Sequence, residues 1–270
     1  MKQKQLYLWI FAIFFTFSIA YFQRKTGPTV PVTGKISIEN SDVKYYLLRT
    51  ETTGKDAEVN IFTGNNDISG SLRYKRYKSH DEWSEKEMTY KDGYLTNLIP
   101  SQPPAGKVMY EVVLKKNKKS YFLTQEPVII RFKGDVPNIF LIPHIFFMFI
   151  GLLMSVRIGL QSIFINTPSI VNISITFIFL VLGGLIFGPI VQKYAFGAYW
   201  TGFPFGHDFT DNKTAFAILF WAIALIMSLF RNKNTRWWIL AAAIVLLSTY
   251  LIPHSLFGSE LDQSSLEQKL

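Results

Sequence analysis

The chain has 270 residues, 49% of them hydrophobic and 16% aromatic, with a formal charge of +9 and no cysteine. A cysteine-free sequence excludes disulfide staples, thiolate metal sites, acylation at a lipoprotein cysteine and covalent haem through Cys-x-x-Cys-His. The basic residues are spread through one polar segment and interleaved with carboxylates, which is the pattern of a solvated surface rather than a phosphate-binding stripe, so nucleic acid is not an expected partner.

The first element is an apolar run over residues 6–22, behind Met-Lys-Gln-Lys-Gln. Its basic start and its small residues Ser18 and Ala20 fit a cleavable secretory signal. Its length and the trailing Tyr21-Phe22 fit a retained anchor, which is the preferred reading. Residues 1–25 are therefore expected to be an N-terminal transmembrane anchor or a signal peptide, and either one exports the polar segment behind it.

Residues 26–136 change character to short period-two runs: 44–49, 57–62, 71–77, 108–114 and 128–132. Thr53-Gly54, Gly64-Asn65-Asn66, Lys91-Asp92-Gly93 and Lys116-Asn117-Lys118 are turn signals between them. Strands at this spacing predict an antiparallel β-sandwich. His80 sits in the polar stretch Ser79-His80-Asp81-Glu82-Trp83-Ser84 and is expected to be a solvated loop residue, with Trp83 assigned to the core.

The phrase Ile99-Pro100-Ser101-Gln102-Pro103-Pro104-Ala105-Gly106-Lys107-Val108-Met109-Tyr110 brings a proline-bearing connection to a strand with tyrosine near its start. In this it resembles the approach to a late strand of fibronectin type III and other immunoglobulin-like domains. The resemblance covers about residues 29–132; it implies a sandwich fold and names no ligand.

Four further apolar runs occupy 139–156, 168–191, 214–230 and 237–252. Each approaches the ~17–25 residues needed to cross a bilayer core of ~30 Å, so residues 137–257 are expected to form a four-span helical bundle and 258–270 a short polar tail. The whole reads as an α+β membrane protein: a single N-terminal span, an exported sandwich, then four spans. Lys2, Lys4, Arg157, Arg231, Lys233 and Arg236 fall on one side of these spans, which by the positive-inside rule orients the N-terminus to the cytoplasm and the β domain and C-terminus outward across a bacterial inner membrane. Arg157 is read as an interfacial anchor ending the second span. Gly184 and Gly188 form a GxxxG pair suited to close helix approach.

The words Leu141-Ile142-Pro143-His144 and Leu251-Ile252-Pro253-His254 repeat four residues at the outer ends of two different spans. The connector Trp-Thr-Gly-Phe-Pro-Phe-Gly-His-Asp-Phe-Thr-Asp-Asn-Lys adds His207, Asp208 and Asp211 on the same side. Three of the chain's four histidines are thus expected in one layer. Imidazole and carboxylate can hold a divalent metal, and two imidazoles can hold haem b. They can also line a transport path, or act structurally, with Asp211 or Asn212 capping a helix and glycines folding a cap over the bundle. The structural reading stands first. His144, His207, His254, Asp208 and Asp211 are the candidate metal-site residues, with no cofactor identified.

The sequence contains no nucleotide-binding glycine loop, His-Glu-x-x-His or Gly-x-Ser-x-Gly motif. The expectation is a non-enzymatic envelope component whose exported domain binds a protein partner while the helices engage the lipid bilayer. The alternatives are a metal- or haem-binding redox protein and a small-solute or ion transporter.

Overall fold

A computed structural model describes residues 2–39, 41–165, 168–253 and Leu261. The candidate ligand His254 lies outside the described residues. The chain divides into a helical unit, from Met1–Pro28, Val136–Tyr194 and Ala198–Ser259, and a β unit built around Thr29–Asp135.

The β unit has three sheets. β1 (Val32–Ile38) and β2 (Ser41–Leu47) form an antiparallel hairpin. β4 (Ala57–Phe62), β8 (Tyr94–Ile99) and β7 (Thr89–Lys91) form a second sheet in that order. In the largest, β3 (Thr50–Thr52), β11 (Val128–Lys133), β9 (Lys107–Lys116), β5 (Ser69–Arg76) and β6 (Ser84–Glu87) lie side by side, and β10 (Lys119–Phe122) folds back on β9. Pairing is antiparallel except between β3 and β11.

Alternation explains why these sheets meet. Along β4, Ala57, Val59 and Ile61 are buried while Glu58, Asn60 and Phe62 are exposed, because successive side chains point to opposite faces. The inward residues join one apolar core with Ile38, Val43 and Leu47 of the hairpin and with Leu72, Val112, Leu114, Ile130 and Phe132 of the largest sheet. A shared core of this kind stabilises the unit without a covalent staple.

Two expected turns are tight hairpins. Asp92 and Gly93 (φ 52° and 86°) join β7 to β8, and Asn117 and Lys118 (φ 48° and 63°) join β9 to β10. Both positions of each pair are left-handed, the geometry whose twist suits two antiparallel strands.

Tyr110, the tyrosine of the quoted phrase, is fully buried. Its hydroxyl donates to the Leu48 carbonyl at 2.8 Å, across 62 positions of chain, not to the connection that precedes its own strand. Burial pushes its phenol above the usual range. Trp83 departs from its expected core position: it is half-buried at the surface, with the Arg73 guanidinium 5.3 Å and the Lys75 ammonium 5.6 Å from its ring centroid.

In the helical unit, α1 (Lys2–Thr26) and α2 (Asn138–Phe164) are succeeded by one continuous helix, Ile170–Phe196. That helix comprises α3 (Ile170–Val181), a π-helical turn (Leu182–Phe187) and α4 (Gly188–Phe196). α5 (Phe209–Leu229) and α6 (Thr235–Leu251) complete it.

Among the described residues, four helices are long and apolar enough to cross a membrane, against the five expected. The fifth, α6, has 17 residues, which reaches only ~25 Å at ~1.5 Å per residue. The polar turn Arg231-Asn232-Lys233-Asn234 precedes it and Pro253 succeeds it, so the sequence allows it little more length. The second span is longer than expected: α2 continues past Arg157 to Phe164 and carries the arginine inside the unit.

Leu152, Ile158, Ile173, Leu180, Ile218, Trp221, Ile239 and Leu246 form the core of this unit. The GxxxG expectation is met only in part. A Cβ at Gly184 would press on Thr214 and Ile218 of α5, but one at Gly188 would approach His144 of α2, so the two glycines serve different neighbours.

Candidate functional site

The connector between α4 and α5 is built around two carboxylates. Asp208 is the N-cap of α5: its Oδ1 accepts from the backbone N–H of Thr210 at 2.7 Å and of Asp211 at 3.4 Å. Its Oδ2 lies 3.2 Å from the Thr201 hydroxyl. Asp211, one turn into the helix, turns its Oδ2 back to the connector. That oxygen accepts from Thr201 N at 2.7 Å, Gly202 N at 3.0 Å and the Gln192 side-chain amide at 3.0 Å.

Both carboxylates are buried, and both lie where the helix dipole favours negative charge. Asn212 Oδ1 accepts from Phe203 N at 2.7 Å, and the Asp208 N–H donates to the Thr201 carbonyl at 2.9 Å. Gly202 is necessary for this closeness, since a Cβ there would stand 2.7 Å from Asp211 Cβ and from Asn212 Oδ1. Lys213 Nζ donates to the Ile252 carbonyl, tying the first turn of α5 to the end of α6. The carboxylates singled out from the sequence are therefore engaged in folding a cap over one end of the helical unit.

The histidines are placed apart in role. His207 is exposed on the connector. His144, half-buried on α2, makes a 2.9 Å hydrogen bond between Nδ1 and the Gly183 carbonyl in the π-helical turn. A carbonyl only accepts, so Nδ1 carries a proton, and the neutral form of His144 would present the Nε2 lone pair. Gly183 O also accepts from Gly188 N, a consequence of the wider π register. Among the described residues no three His, Asp or Glu side chains are gathered as a metal site.

Two features escaped the sequence reading. Arg157 is 4% exposed, with Nη1 donating to Gln161 at 3.2 Å and Nη2 donating to Gln5 of α1. The Arg157-to-Gln161 spacing of four residues on one helix was the available signal. On the β unit, Phe62 and Tyr94 are 54% and 45% exposed on the outer face of the β4–β8–β7 sheet, with ring centroids 5.0 Å apart. They occupy directly opposed register positions, which only the strand pairing reveals.

No family model, curated protein or solved structure matches this chain.

Proposed function

We propose that this is an integral protein of a bacterial-type inner membrane whose β unit lies outside the cytoplasm and binds a protein partner, as a non-enzymatic component of a membrane assembly. The observation that carries the reading is the Phe62–Tyr94 pair. Exposed, paired aromatic rings on a rigid sheet offer large contact area with little ordering cost, the composition favoured at protein interfaces.

The strand order supports an immunoglobulin-like sandwich as the module. In the lettering of that fold, β4-β8-β7 reads B-E-D and β11-β9-β5-β6 reads G-F-C-C′, with the β1–β2 hairpin as an addition. Packing of α1 supports a retained anchor: Phe17 meets Phe149 of α2 at 5.0 Å between ring centroids, and the Gln23 amide donates to the Tyr250 carbonyl at 2.5 Å. α6 is read as a short fifth span, with Trp237 near one end and Tyr250 near the other as interfacial residues. The N-terminus is then cytoplasmic and the C-terminus outside.

The test is co-purification of full-length protein from its native membrane, comparing wild type with Phe62→Ser/Tyr94→Ser. The reading expects a stoichiometric partner that is lost in the variant while the chain stays folded. An equal yield of partner from both would reject the aromatic face as the contact.

His144 favours a second reading, a metal or haem ligand, because its Nδ1–H is fixed by a carbonyl as in many metal-bound histidines. Its check is an absorption spectrum and elemental analysis beside His144→Ala. Metal or haem lost in the variant supports that reading, and equal spectra and metal content reject it.

A further inference from the structure

Where α1 begins, α2 ends and α3 begins, a cavity of about 360 Å³ lies between Gln5, Trp9, Arg157, Gln161, Ser169 and Asn172. Arg157 is 96% withdrawn from solvent, and its two hydrogen-bond partners are neutral amide oxygens. Its Nε–H is buried with no acceptor among the described residues. Its guanidinium carbon stands 5.2 Å from the Trp9 ring centroid, a contact that orients a cation without neutralising it.

Burying a guanidinium without an anion is costly, and an ionisable side chain within a membrane bundle is most often kept for a ligand or a path. The same cavity receives the N-terminus of α3, a helix of 12 residues whose N-cap Ser169 accepts from Asn172 N. A helix start offers free N–H groups and the positive end of its dipole. Cation and dipole therefore converge on one space.

That space is about ten times the ~30 Å³ share of one water, enough for a tetrahedral oxyanion with an ester substituent. The surroundings are basic. Lys2 and Lys4 are in the first turn of α1, and Arg236 Nη2 donates to the Ile163 carbonyl at 3.1 Å, which sets the start of α6 beside the end of α2. These charges raise the local concentration of anions at this end of the helices.

We propose that this cavity is a phosphate site, with Arg157 as its charged anchor and Ser169, Asn172 and Gln5 as polar neighbours, filled either by the headgroup of an anionic phospholipid or by a free phosphate. The proposal does not depend on what the β unit binds.

The test uses the full chain in a phosphate-free maltoside detergent, titrated calorimetrically with short-chain phosphatidylglycerol and, separately, with inorganic phosphate. One saturating site is expected. Saturation by the lipid alone assigns a headgroup, and saturation by inorganic phosphate assigns the soluble ion. Arg157→Gln should weaken binding about tenfold or more, the loss of a charge-assisted hydrogen bond.

Because Arg157→Gln can also disturb folding, Gln5→Glu is the second variant. It gives Arg157 an internal carboxylate, so it should abolish binding while the thermal transition stays in place or rises. Saturation of neither probe, or wild-type binding by Gln5→Glu, overturns the proposal.

Discussion

Replacing Asp211 by alanine removes the acceptor that holds the connector to α5. Its Oδ2 serves Thr201 N at 2.7 Å, Gly202 N at 3.0 Å and the Gln192 amide at 3.0 Å, in a buried setting. A hydrogen bond to a charged group contributes ~1.5–3 kcal/mol, and a stranded buried donor costs ~1–3 kcal/mol. Water reaching the exposed flank at Phe203 and Phe205 offsets part of that, which leaves an expected loss of ~3–4 kcal/mol.

Asp211→Asn keeps an oxygen but not the charge and should lose about half as much. Equilibrium unfolding in detergent gives the totals, and hydrogen exchange at Thr201 and Gly202 locates them. If Asp211→Ala stays within ~0.5 kcal/mol of wild type and both amides keep their protection, the carboxylate is not what folds the connector, and a role in ligand binding moves ahead.

The β unit and the span count carry further expected outcomes. Tyr110→Phe leaves the Leu48 carbonyl without its 2.8 Å donor, so the denaturation midpoint of full-length protein should fall by ~1–2 kcal/mol equivalent; no change would mean the bond is negligible. Asp81 is gripped by Arg76 through Nε and Nη2 at 2.7 and 2.6 Å, and those hydrogen bonds hold its carboxyl down, from 3.8 to about 2. A depressed folded value stabilises above the unfolded pKa of ~3.9 and loses that stabilisation as pH falls toward 2. Solvent screening limits it to ~1–2 kcal/mol, so the gap in unfolding midpoint between wild type and Asp81→Asn should be present at pH 6, mostly gone at pH 2 and closed below it. The proposed arrangement of five crossings with the C-terminus outside predicts that an alkaline phosphatase fused after Leu270 is active; an active cytoplasmic reporter at the same point would remove α6 from the spans.

Which elements were legible in the sequence depends on the range of the signal. β4, β5 and β9 announce themselves by local alternation, and Asp92-Gly93 and Asn117-Lys118 by turn chemistry. β6 and β7 are short and exposed throughout, so no apolar period marks them, and their pairing depends on neighbours distant in the chain. In the helical unit, length and hydropathy located the helices but placed the end of α2 eight residues early, the end of α4 five residues early and the start of α5 five residues late. A lone charge at Arg157 looks like a boundary unless Gln5, 152 positions away, is known to receive it. The apolar run of α6 was seen, yet its helical length was set by the polar turn before it and the proline after it.

The candidate site was legible in position rather than in chemistry. Asp211 or Asn212 was the expected cap of α5, whereas Asp208 takes the N-cap position and Asp211 and Asn212 reach back to hold the connector. Gln192, which completes the ring of donors to Asp211, carries no sequence mark of that role. The bond from His144 to Gly183 depends on a π-helical turn that hydropathy does not encode.

The most direct test of the central claim is native electrophoresis of gently solubilised membranes containing either the full chain or a chain lacking residues 29–132. A membrane component that binds a partner through its β unit predicts a band heavier than the protein alone, collapsing to the size of the helical unit when those residues are removed. The same partner retained by the truncated chain would contradict the account and place the binding surface on the helices.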